Sequence, residues 1–283
     1  MPSSSTVGRN FSVPLTSNWQ VPLTGTPMKK LLTALLMVSL ATLANAQIGD
    51  CDKHFFQKTA PSFTRPALQQ STVGLCFEAY ATLHSGVSRT PLWSAEHLTR
   101  ASLAAAKEVK REDSFHAEET LPATQRAELS DYARSGFDRG HMAPAADMPT
   151  RKAQHESFSL ANVVPQNRHN NQVLWSAIEG ATRHLANVRG ELYVITGPVF
   201  EGEKIERING RVFVPTHVFK AVVDPASNEG AAWIAKNDDS DEHEVVPIAA
   251  LEKRIGINLF PKLPADAKAR AMTLPEPRVR KRR

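Results

Sequence analysis

Apolar residues fall in several short runs along the chain, and turn-forming residues separate most of these runs. Segments 75–83 and 91–98, rich in aromatic, β-branched and other apolar residues, predict two strands joined through His84-Ser85-Gly86. Four further strands are predicted between Pro, Gly and Asn-Gly signals, at 161–164, 191–199, 211–223 and 231–235. The pattern therefore predicts a chain rich in strands.

One helix is clear, and it begins at Asn171. Apolar residues recur there at spacings of three and four, forming one stripe of Val173, Leu174, Ala177, Ile178, Ala181 and Leu185. Asn171 flanks this stripe, whereas Glu179 and Arg183 lie off it. The polar segment 101–134 predicts helical pieces and loop, and 251–263 a short helix. Many strands around one long helix predict an α+β fold with a mainly antiparallel sheet.

The N-terminal region has the pattern of a leader. Arg9 is the only charged residue among the first 27, and Met28-Lys29-Lys30 then precede an apolar stretch that ends in Ala44-Asn45-Ala46. A charged start, a short apolar core and an A-x-A site are typical of a secretory signal peptide, and the run is too short to cross a membrane. We expect a signal peptide at 28–46, an untranslated upstream segment 1–27, and a periplasmic or extracellular protein without a membrane anchor.

The rest of the chain, 47–277, has the size and composition of a single globular domain. Its two cysteines, Cys51 and Cys76, are predicted to form a disulfide, because an exported protein with an even cysteine count most simply pairs them. Closing this loop would stabilise the fold by roughly 3 kcal/mol.

Net charge says little about a nucleic-acid partner. The leader holds three of the 34 basic residues and none of the 29 acidic residues, so the remainder carries a net charge of +2. Five of its positive charges lie in the tail 278–283, at Arg278, Arg280, Lys281, Arg282 and Arg283. Any phosphate-binding surface is therefore a local patch. The tail is either a solvated end or a segment that gathers polyanions.

The segment 137–147 is the most informative for chemistry. It places Asp138, Arg139 and His141 around Gly140, an unusual set for a core strand. On these residues alone, a solvated surface turn and a functional site both remain open. A histidine titrates near neutral pH, so a neutral His141 can take a proton from water.

A second polar segment follows about twenty residues later. An apolar run that ends at Pro165 leads into the polar loop 167–170 and then into the helix, so that the amide of Asn171 precedes the carboxylate of Glu179 by about two turns. Mg²⁺ prefers oxygen ligands and keeps several waters, so one amide oxygen is a sufficient direct contact. The metal would stabilise charge on a phosphodiester under attack.

Together, these segments resemble the DNA/RNA non-specific endonuclease family, whose active site is a ββα-metal motif of two strands and a metal-holding helix. The family hallmark Asp-Arg-Gly-His is present at 138–141, and its asparagine-rich segment at 162–179. Weaker likeness extends through 90–95, 194–198 and 216–220. The resemblance implies metal-dependent cleavage of DNA and RNA that leaves 5′ phosphates.

The resemblance and the chemistry together assign roles. His141 is predicted as general base and Asn171 as the ligand of Mg²⁺, with Mn²⁺ as an alternative. Arg139 would bind phosphate by a forked contact. Asp138 would orient its neighbours, and Glu179 would act through water on the metal.

Four further residues leave two interpretations each. Arg183 either pairs with Glu179 four residues earlier or binds substrate phosphate. Asn162 either makes a strand-end hydrogen bond or contacts substrate. His169 is a solvated loop residue or a second metal ligand, and Trp175 is expected to be partly packed rather than a base-stacking platform.

The sequence contains no zinc finger or helix-turn-helix that would read bases, so we expect little sequence preference on DNA or RNA. The enzyme is expected to be a monomer or a homodimer. Two other classes remain as alternatives: an inactive exported protein that binds nucleic acid, and a metallohydrolase of small phosphodiesters. The intact set His141, Asn171 and Glu179 favours the nuclease.

Overall fold

The structure is a computed structural model that describes residues 51–279. The predicted leader and the last four residues of the basic tail lie outside the described part. Within residues 51–279, no helix combines the length and the apolar character that crossing a membrane requires.

Thirteen strands are present in the described chain. They are β1 Ser62–Phe63, β2 Thr72–Cys76, β3 Tyr80–Ser85, β4 Thr90–Thr99, β5 Asp138–His141, β6 Val163–Gln166, β7 Glu191–Val199, β8 Arg207–Ile208, β9 Val212–Phe213, β10 His217–Asp224, β11 Glu229–Lys236, β12 His243–Val246 and β13 Ile257–Asn258. Seven of them form one antiparallel sheet in the order β12-β11-β10-β7-β4-β3-β2. The hairpin β5-β6 pairs separately from this sheet.

Six α-helices accompany the strands. They are α1 Arg100–Glu108, α2 Leu129–Tyr132, α3 Arg151–Ser157, α4 Ser176–Arg189, α5 Ile248–Ile255 and α6 Ala265–Lys268. A π-helical turn, Asn170–Trp175, leads directly into α4. The α+β prediction with a mainly antiparallel sheet is therefore confirmed.

Both faces of the large sheet are buried at its central strands. Strand β10 is an example. Its side chains point alternately to the two faces of the sheet, and apolar residues are present on each face. Phe219 packs on one face with Leu251 of α5, and Val222 packs on the other with Ile178 of α4. The sheet is thus the middle layer, and α4 lies on the face that carries the candidate site.

The strand predictions differ in accuracy. The segment 191–199 coincides with β7, and 231–235 lies inside β11. The segment 75–83 is wrong as one strand, because the chain turns between β2 and β3, where Phe77 N donates to Tyr80 O at 2.9 Å. The segment 211–223 is also two strands, since the chain between β9 and β10 contains Pro215, which has no N–H for a ladder.

The predicted disulfide between Cys51 and Cys76 is present, with a Cα–Cα distance of 5.7 Å. It joins the start of the described chain to β2. The residues after Cys51 pack into the core, where Phe55 meets the edge of Trp93 at a ring-centroid distance of 5.8 Å. The bond therefore holds an arm that has no long element of its own.

His54 in this arm makes stability depend on pH. Its ring is buried, with Nε2 3.3 Å from Phe77 O, and burial lowers its pKa to about 4. Between pH 6.5 and pH 4, His54 therefore stays neutral in the folded state, whereas in the unfolded chain it takes up a proton. Stabilisation is therefore complete above about pH 6.5 and is lost as the pH falls towards 4, by about 3 kcal/mol.

We expect urea unfolding of the wild-type chain and of His54→Gln to show this difference. The free energy of unfolding of wild type should fall more steeply between pH 7 and pH 4 than that of the variant. Identical slopes in the two proteins would refute a buried, neutral His54.

Candidate active site

The Asp-Arg-Gly-His segment forms strand β5, which pairs with β6 so that Gly140 faces Val164 and His141 faces Val163. A Cβ atom at Gly140 would overlap the side chain of Gln166, so the close approach of the two strands requires glycine. The surface-turn interpretation is therefore wrong. The predicted strand 161–164 is shifted by two residues from β6, which continues through Pro165.

The helix begins earlier than predicted. Asn167 Oδ1 accepts hydrogen bonds from the backbone N–H groups of His169 at 2.8 Å and Asn170 at 3.2 Å. This is the pattern of an N-cap. Asn171 N donates to Asn167 O at 2.8 Å, so Asn171 lies inside the first turn rather than opening the helix.

The π-helical turn Asn170–Trp175 affects which side chains share a face. In a regular α-helix, two residues eight apart differ in direction by about 80°. A π turn holds more residues per turn and so reduces this difference between Asn171 and Glu179. Such turns inside helices are frequent at functional sites. Both side chains line one cavity.

That cavity has a volume of about 740 Å³. It brings together five of the predicted site residues: Asp138, Arg139, His141, Asn171 and Glu179. Among the other lining residues with polar or aromatic side chains are Arg111, Asp113, Phe115, Arg168 and Gln172. The hairpin and the helix thus place a base, a cation, an amide and an acid around one space, which we call the catalytic cavity.

His141 is held between two aromatic rings. Its ring centroid lies 5.1 Å from that of Phe115 and 4.8 Å from that of Phe158, and the side chain is buried. Burial lowers the pKa of His141 to about 3, and the charges of Arg111 and Arg139 act in the same direction. The imidazole is therefore neutral near pH 7, the state in which it can accept a proton.

Asp138 orients the amide of Asn171. Its Oδ2 accepts hydrogen bonds from Asn171 Nδ2 at 3.1 Å and from Gln172 Nε2 at 2.8 Å. The nitrogen end of the Asn171 amide is used in this way. Its oxygen end has no hydrogen-bond partner within residues 51–279. A neutral oxygen with free lone pairs at a polar cavity fits the donor that Mg²⁺ takes.

The same part of the chain contains no cluster of three or more His, Cys, Asp or Glu side chains suited to a metal ion.

Arg139 is the cation best placed for a phosphate. Its guanidinium lies 4.2 Å from the centroid of Phe115, and among the described residues it makes no ion pair. By contrast, Arg168 lies 3.5 Å from Asp138 Oδ1, and Arg111 Nε lies 2.7 Å from Asp113 Oδ1. The aromatic face supports the guanidinium without occupying its N–H donors.

Glu179 contributes an acid that no residue in 51–279 pairs with. Its side chain is partly buried, and burial raises its pKa, against the opposing charges of Arg183 and Lys220. A carboxylate without protein partners at a hydrated cavity can accept hydrogen bonds from water. The structure thus leaves Glu179 available for contacts through solvent.

Arg183 needs a correction. Its Nη1 lies 2.9 Å from Oδ1 of the buried Asp147, so the predicted ion pair with Glu179 is replaced by one with Asp147. Arg183 lines a neighbouring cavity of about 340 Å³ rather than the catalytic cavity. Its donors are therefore partly used, and the placement does not favour the predicted substrate contact.

Asn162 is also corrected, from substrate contact to a structural role. It is fully buried, and all its hydrogen-bonding capacity is used. Oδ1 accepts from Ala143 N at 2.9 Å and Ser94 Oγ at 2.8 Å, and Nδ2 donates to Ala143 O and Ser157 O, each at 2.9 Å. Asn162 thereby fixes the chain two residues after His141 to the main sheet.

Replacing Asn162 by alanine should lower the free energy of unfolding by about 3 kcal/mol, because it leaves the buried Ala143 N–H and C=O unpaired. We also expect kcat to fall while KM stays near its wild-type value. Ser94→Ala, which removes one of the four bonds, is the matched control and should cost about 1 kcal/mol. An unchanged stability with a raised KM would restore the substrate-binding interpretation.

His169 and Trp175 both lie away from the catalytic cavity. His169 Nε2 lies 2.9 Å from Asp241 Oδ1, and the residue does not line the catalytic cavity, so the second-ligand hypothesis gains no support. Trp175 is 1% exposed and lies in the core beside Ile178. The expectation of partial packing is wrong, because the π turn directs Trp175 into the sheet.

Sequence reasoning missed several cavity residues, among them Arg111, Phe115 and Arg168. The first two belong to the polar segment 101–134, whose lack of periodicity gave no placement. Arg168 precedes Asn171 in the polar loop, so a cation next to the amide predicted to bind the metal is the available signal.

Comparisons with known proteins agree with this geometry. Residues 58–266 match the DNA/RNA non-specific endonuclease family. Nuclease C1 of Cunninghamella echinulata var. echinulata is 35% identical over 210 residues, which cover 66% of this chain and 82% of that protein. Mitochondrial endonuclease G of Homo sapiens is 32% identical over 209 residues, covering 67% and 70% respectively.

A solved structure shares the fold. It is the crystal structure of the EndoG/EndoGI complex, which concerns the mechanism of EndoG inhibition, and it superposes with a TM-score of 0.60 at 27% identity. The match covers 69% of this chain and 88% of that chain. Sequence, fold and the ββα cavity thus agree, and the chain belongs to the DNA/RNA non-specific endonuclease family.

Proposed function

We propose that this nuclease hydrolyses DNA and RNA without strong sequence preference, with His141 and a divalent metal ion at Asn171 acting on the same phosphate. The observation that carries the proposal is the catalytic cavity, which joins a neutral imidazole to a guanidinium and an amide oxygen that have no ionic or hydrogen-bond partner within 51–279. These groups are suited to contact phosphate and water rather than bases, which supports cleavage without recognition of the base sequence.

Each residue of the site has a separate role in the proposed hydrolysis. His141 accepts the proton of the attacking water. Arg139 binds non-bridging phosphate oxygens through its N–H donors, where negative charge grows during attack. Asp138 holds the Asn171 amide with its oxygen towards the cavity. Arg183 and Asn162 act from outside the cavity by fixing Asp147 and the turn after His141.

The amide oxygen of Asn171 would hold Mg²⁺ or Mn²⁺, and Glu179 would accept hydrogen bonds from the hydration shell of that ion. Once bound, the ion supplies Lewis-acid stabilisation of the phosphate and of the leaving oxygen. The bond that breaks is the one between phosphorus and the 3′ oxygen, so the product carries a 5′ phosphate.

The test uses purified residues 47–283 with supercoiled plasmid and with single-stranded RNA, each with Mg²⁺ and with excess chelator. We expect both substrates to be cleaved only with the metal, and the DNA ends to be ligatable without prior phosphorylation. Binding without cleavage would indicate an inactive nucleic-acid-binding protein. Cleavage of a small phosphodiester, with plasmid and RNA left intact, would indicate a metallohydrolase of small phosphodiesters.

We also propose that the chain is exported to the periplasm or beyond it. The charged, apolar and A-x-A pattern of 28–46 supports export, and so does the disulfide between Cys51 and Cys76, since such bonds persist in oxidising compartments. N-terminal sequencing of the mature protein from the producing cell should give Gln47. An uncleaved chain retained in the cytoplasm would contradict export.

A further inference from the structure

The hairpin β5-β6 is not part of the seven-stranded sheet, so contacts outside the strand ladders hold it beside the helix. At one end, next to His141, Asn162 makes such a contact through its hydrogen bond to Ser94 of β4. The other end belongs to the metal side of the site, because Asp138 lies there and accepts a hydrogen bond from Asn171. This end requires an anchor of its own if the Asn171 amide is to keep its direction.

Asn237, the residue after β11, lies at this second end. Its Oδ1 accepts a hydrogen bond from the backbone N–H of Asn167 at 2.7 Å. Its Nδ2 donates to Pro165 O at 3.1 Å and to Pro215 O at 2.8 Å, and its backbone N–H donates to Thr216 O at 2.9 Å. One side chain thus joins the end of β6 to the segment before β10, a strand of the main sheet.

Short paths lead from Asn237 to both partners in the metal side of the site. Asn167 is the N-cap of the helical turn that carries Asn171, and Asn171 N donates to Asn167 O at 2.8 Å. Pro165 lies in β6, which pairs with the strand that carries Asp138. The turn that bears the amide and the strand that orients it therefore meet at Asn237.

Neighbouring residues add contacts at the same junction. Lys236 O accepts a hydrogen bond from Nδ2 of the fully buried Asn170 at 2.7 Å. Asp239 Oδ1 accepts one from Asn167 Nδ2 at 3.0 Å. Because hydrogen bonds are directional, these contacts fix the orientation of the first helical turn as well as its position.

We propose that Asn237 is a positioning residue for the metal site, which keeps the amide oxygen of Asn171 directed into the catalytic cavity without touching metal or substrate. The proposal rests on the proposed nuclease function and deepens it by naming what holds the metal side of the site. Asn237 does not line the catalytic cavity, so it acts through Asn167 and β6. Loss of a residue that orients a metal ligand typically lowers metal affinity or activity by roughly 10- to 100-fold.

The first measurement needs no catalysis. Mn²⁺ is titrated into the chain 47–283 and into Asn237→Ala, without substrate and well below the unfolding temperature of either protein, and free Mn²⁺ is followed by electron paramagnetic resonance. We expect the Kd for Mn²⁺ to rise by about tenfold in the variant. Backbone hydrogens of 167–171 should also exchange faster, because the N–H of Asn167 loses its acceptor.

The second measurement is cleavage of plasmid over a range of Mg²⁺ concentrations. In Asn237→Ala the Mg²⁺ concentration for half-maximal activity should rise by the same factor as the Kd for Mn²⁺. At saturating Mg²⁺, kcat should recover most of its wild-type value, since His141 and Arg139 stay in place. Asn162→Ala should show the opposite pattern, with a lower kcat and a nearly unchanged Kd for Mn²⁺.

Two further variants separate positioning from general loss of stability. Thr216→Val removes the hydroxyl that donates to Val199 O at 3.0 Å, a bond at the same junction that does not reach β6, and should keep the wild-type Kd. Asn237→Asp keeps the size of the side chain but places a carboxylate oxygen against the carbonyl oxygens of Pro165 and Pro215. We expect its Mn²⁺ affinity to fall, although the added negative charge alone would favour a cation.

The two proposals can fail separately. A wild-type chain that cleaves neither plasmid nor RNA would overturn the nuclease function, and the Mn²⁺ and exchange measurements would still decide the role of Asn237. A wild-type Kd for Mn²⁺ in folded Asn237→Ala and Asn237→Asp would overturn the inference. An equal loss of Mn²⁺ affinity in Thr216→Val would overturn it as well.

Discussion

Replacing His141 by alanine is expected to lower kcat on plasmid DNA by about 10³-fold, because the variant removes the group proposed to take the proton from the attacking water. KM should change little, since Arg139 and Asn171, which are proposed to bind the phosphate and the metal, remain. The measurement is steady-state cleavage of plasmid at saturating Mg²⁺, with thermal unfolding to show that the variant is folded.

Two controls sharpen this prediction. His155→Ala removes an exposed histidine that does not line the catalytic cavity and should retain wild-type kcat. Added imidazole should restore part of the activity of His141→Ala, because the vacated space between Phe115 and Phe158 can admit a free base. A folded His141→Ala protein with nearly full activity would eliminate His141 as the base.

The second large effect is expected at Asn171. Asn171→Ala removes the oxygen proposed to hold the metal, so the Mg²⁺ concentration for half-maximal activity should rise by at least tenfold. At a fixed Mg²⁺ concentration, kcat should fall by about 10²-fold or more. A titration of activity against Mg²⁺ and Mn²⁺ measures both quantities.

Gln172→Ala is the matched variant for this site. It removes the other amide that donates to Asp138, at 2.8 Å, but takes no oxygen from the metal. We therefore expect a smaller loss and a nearly unchanged Mg²⁺ requirement. An equal metal dependence in Asn171→Ala and Gln172→Ala would show that the Asn171 oxygen is not the ligand.

Five of the seven residues that the sequence assigned to the site line one cavity, whereas two of the predicted strands are each divided in the fold. The order Asp138 to His141, then Asn171 and Glu179, was visible because glycine, imidazole and amide residues are unusual between apolar runs. The apolar run that reaches the Gly197-Pro198 signal predicted β7, which is a central strand between β4 and β10.

Other features depended on tertiary interactions that no periodicity records. Asn162 and a substrate-binding asparagine have the same appearance in sequence, and only the four hydrogen bonds of Asn162 distinguish them. Arg183 is four residues after Glu179, yet the folded chain brings Asp147 closer to it. Tertiary partners decided both roles.

The π turn is a further example. A regular helix would separate the directions of Asn171 and Glu179 by about 80°, and the sequence led us to expect Trp175 to be only partly packed. The wider turn Asn170–Trp175 changes both, since it buries Trp175 and lets Asn171 and Glu179 line one cavity. Propensity does not signal this insertion, because the residues involved also suit an α-helix.

We propose that the imidazole of His141 and a metal at Asn171 act on one phosphate in the catalytic cavity. Crystals of His141→Ala with Mn²⁺ and an uncleaved oligonucleotide test it through the anomalous scattering of Mn²⁺. We predict a peak about 2.1 Å from Asn171 Oδ1 that also contacts a phosphate lying next to position 141. A Mn²⁺ peak away from Asn171, or a phosphate out of reach of position 141, would contradict it.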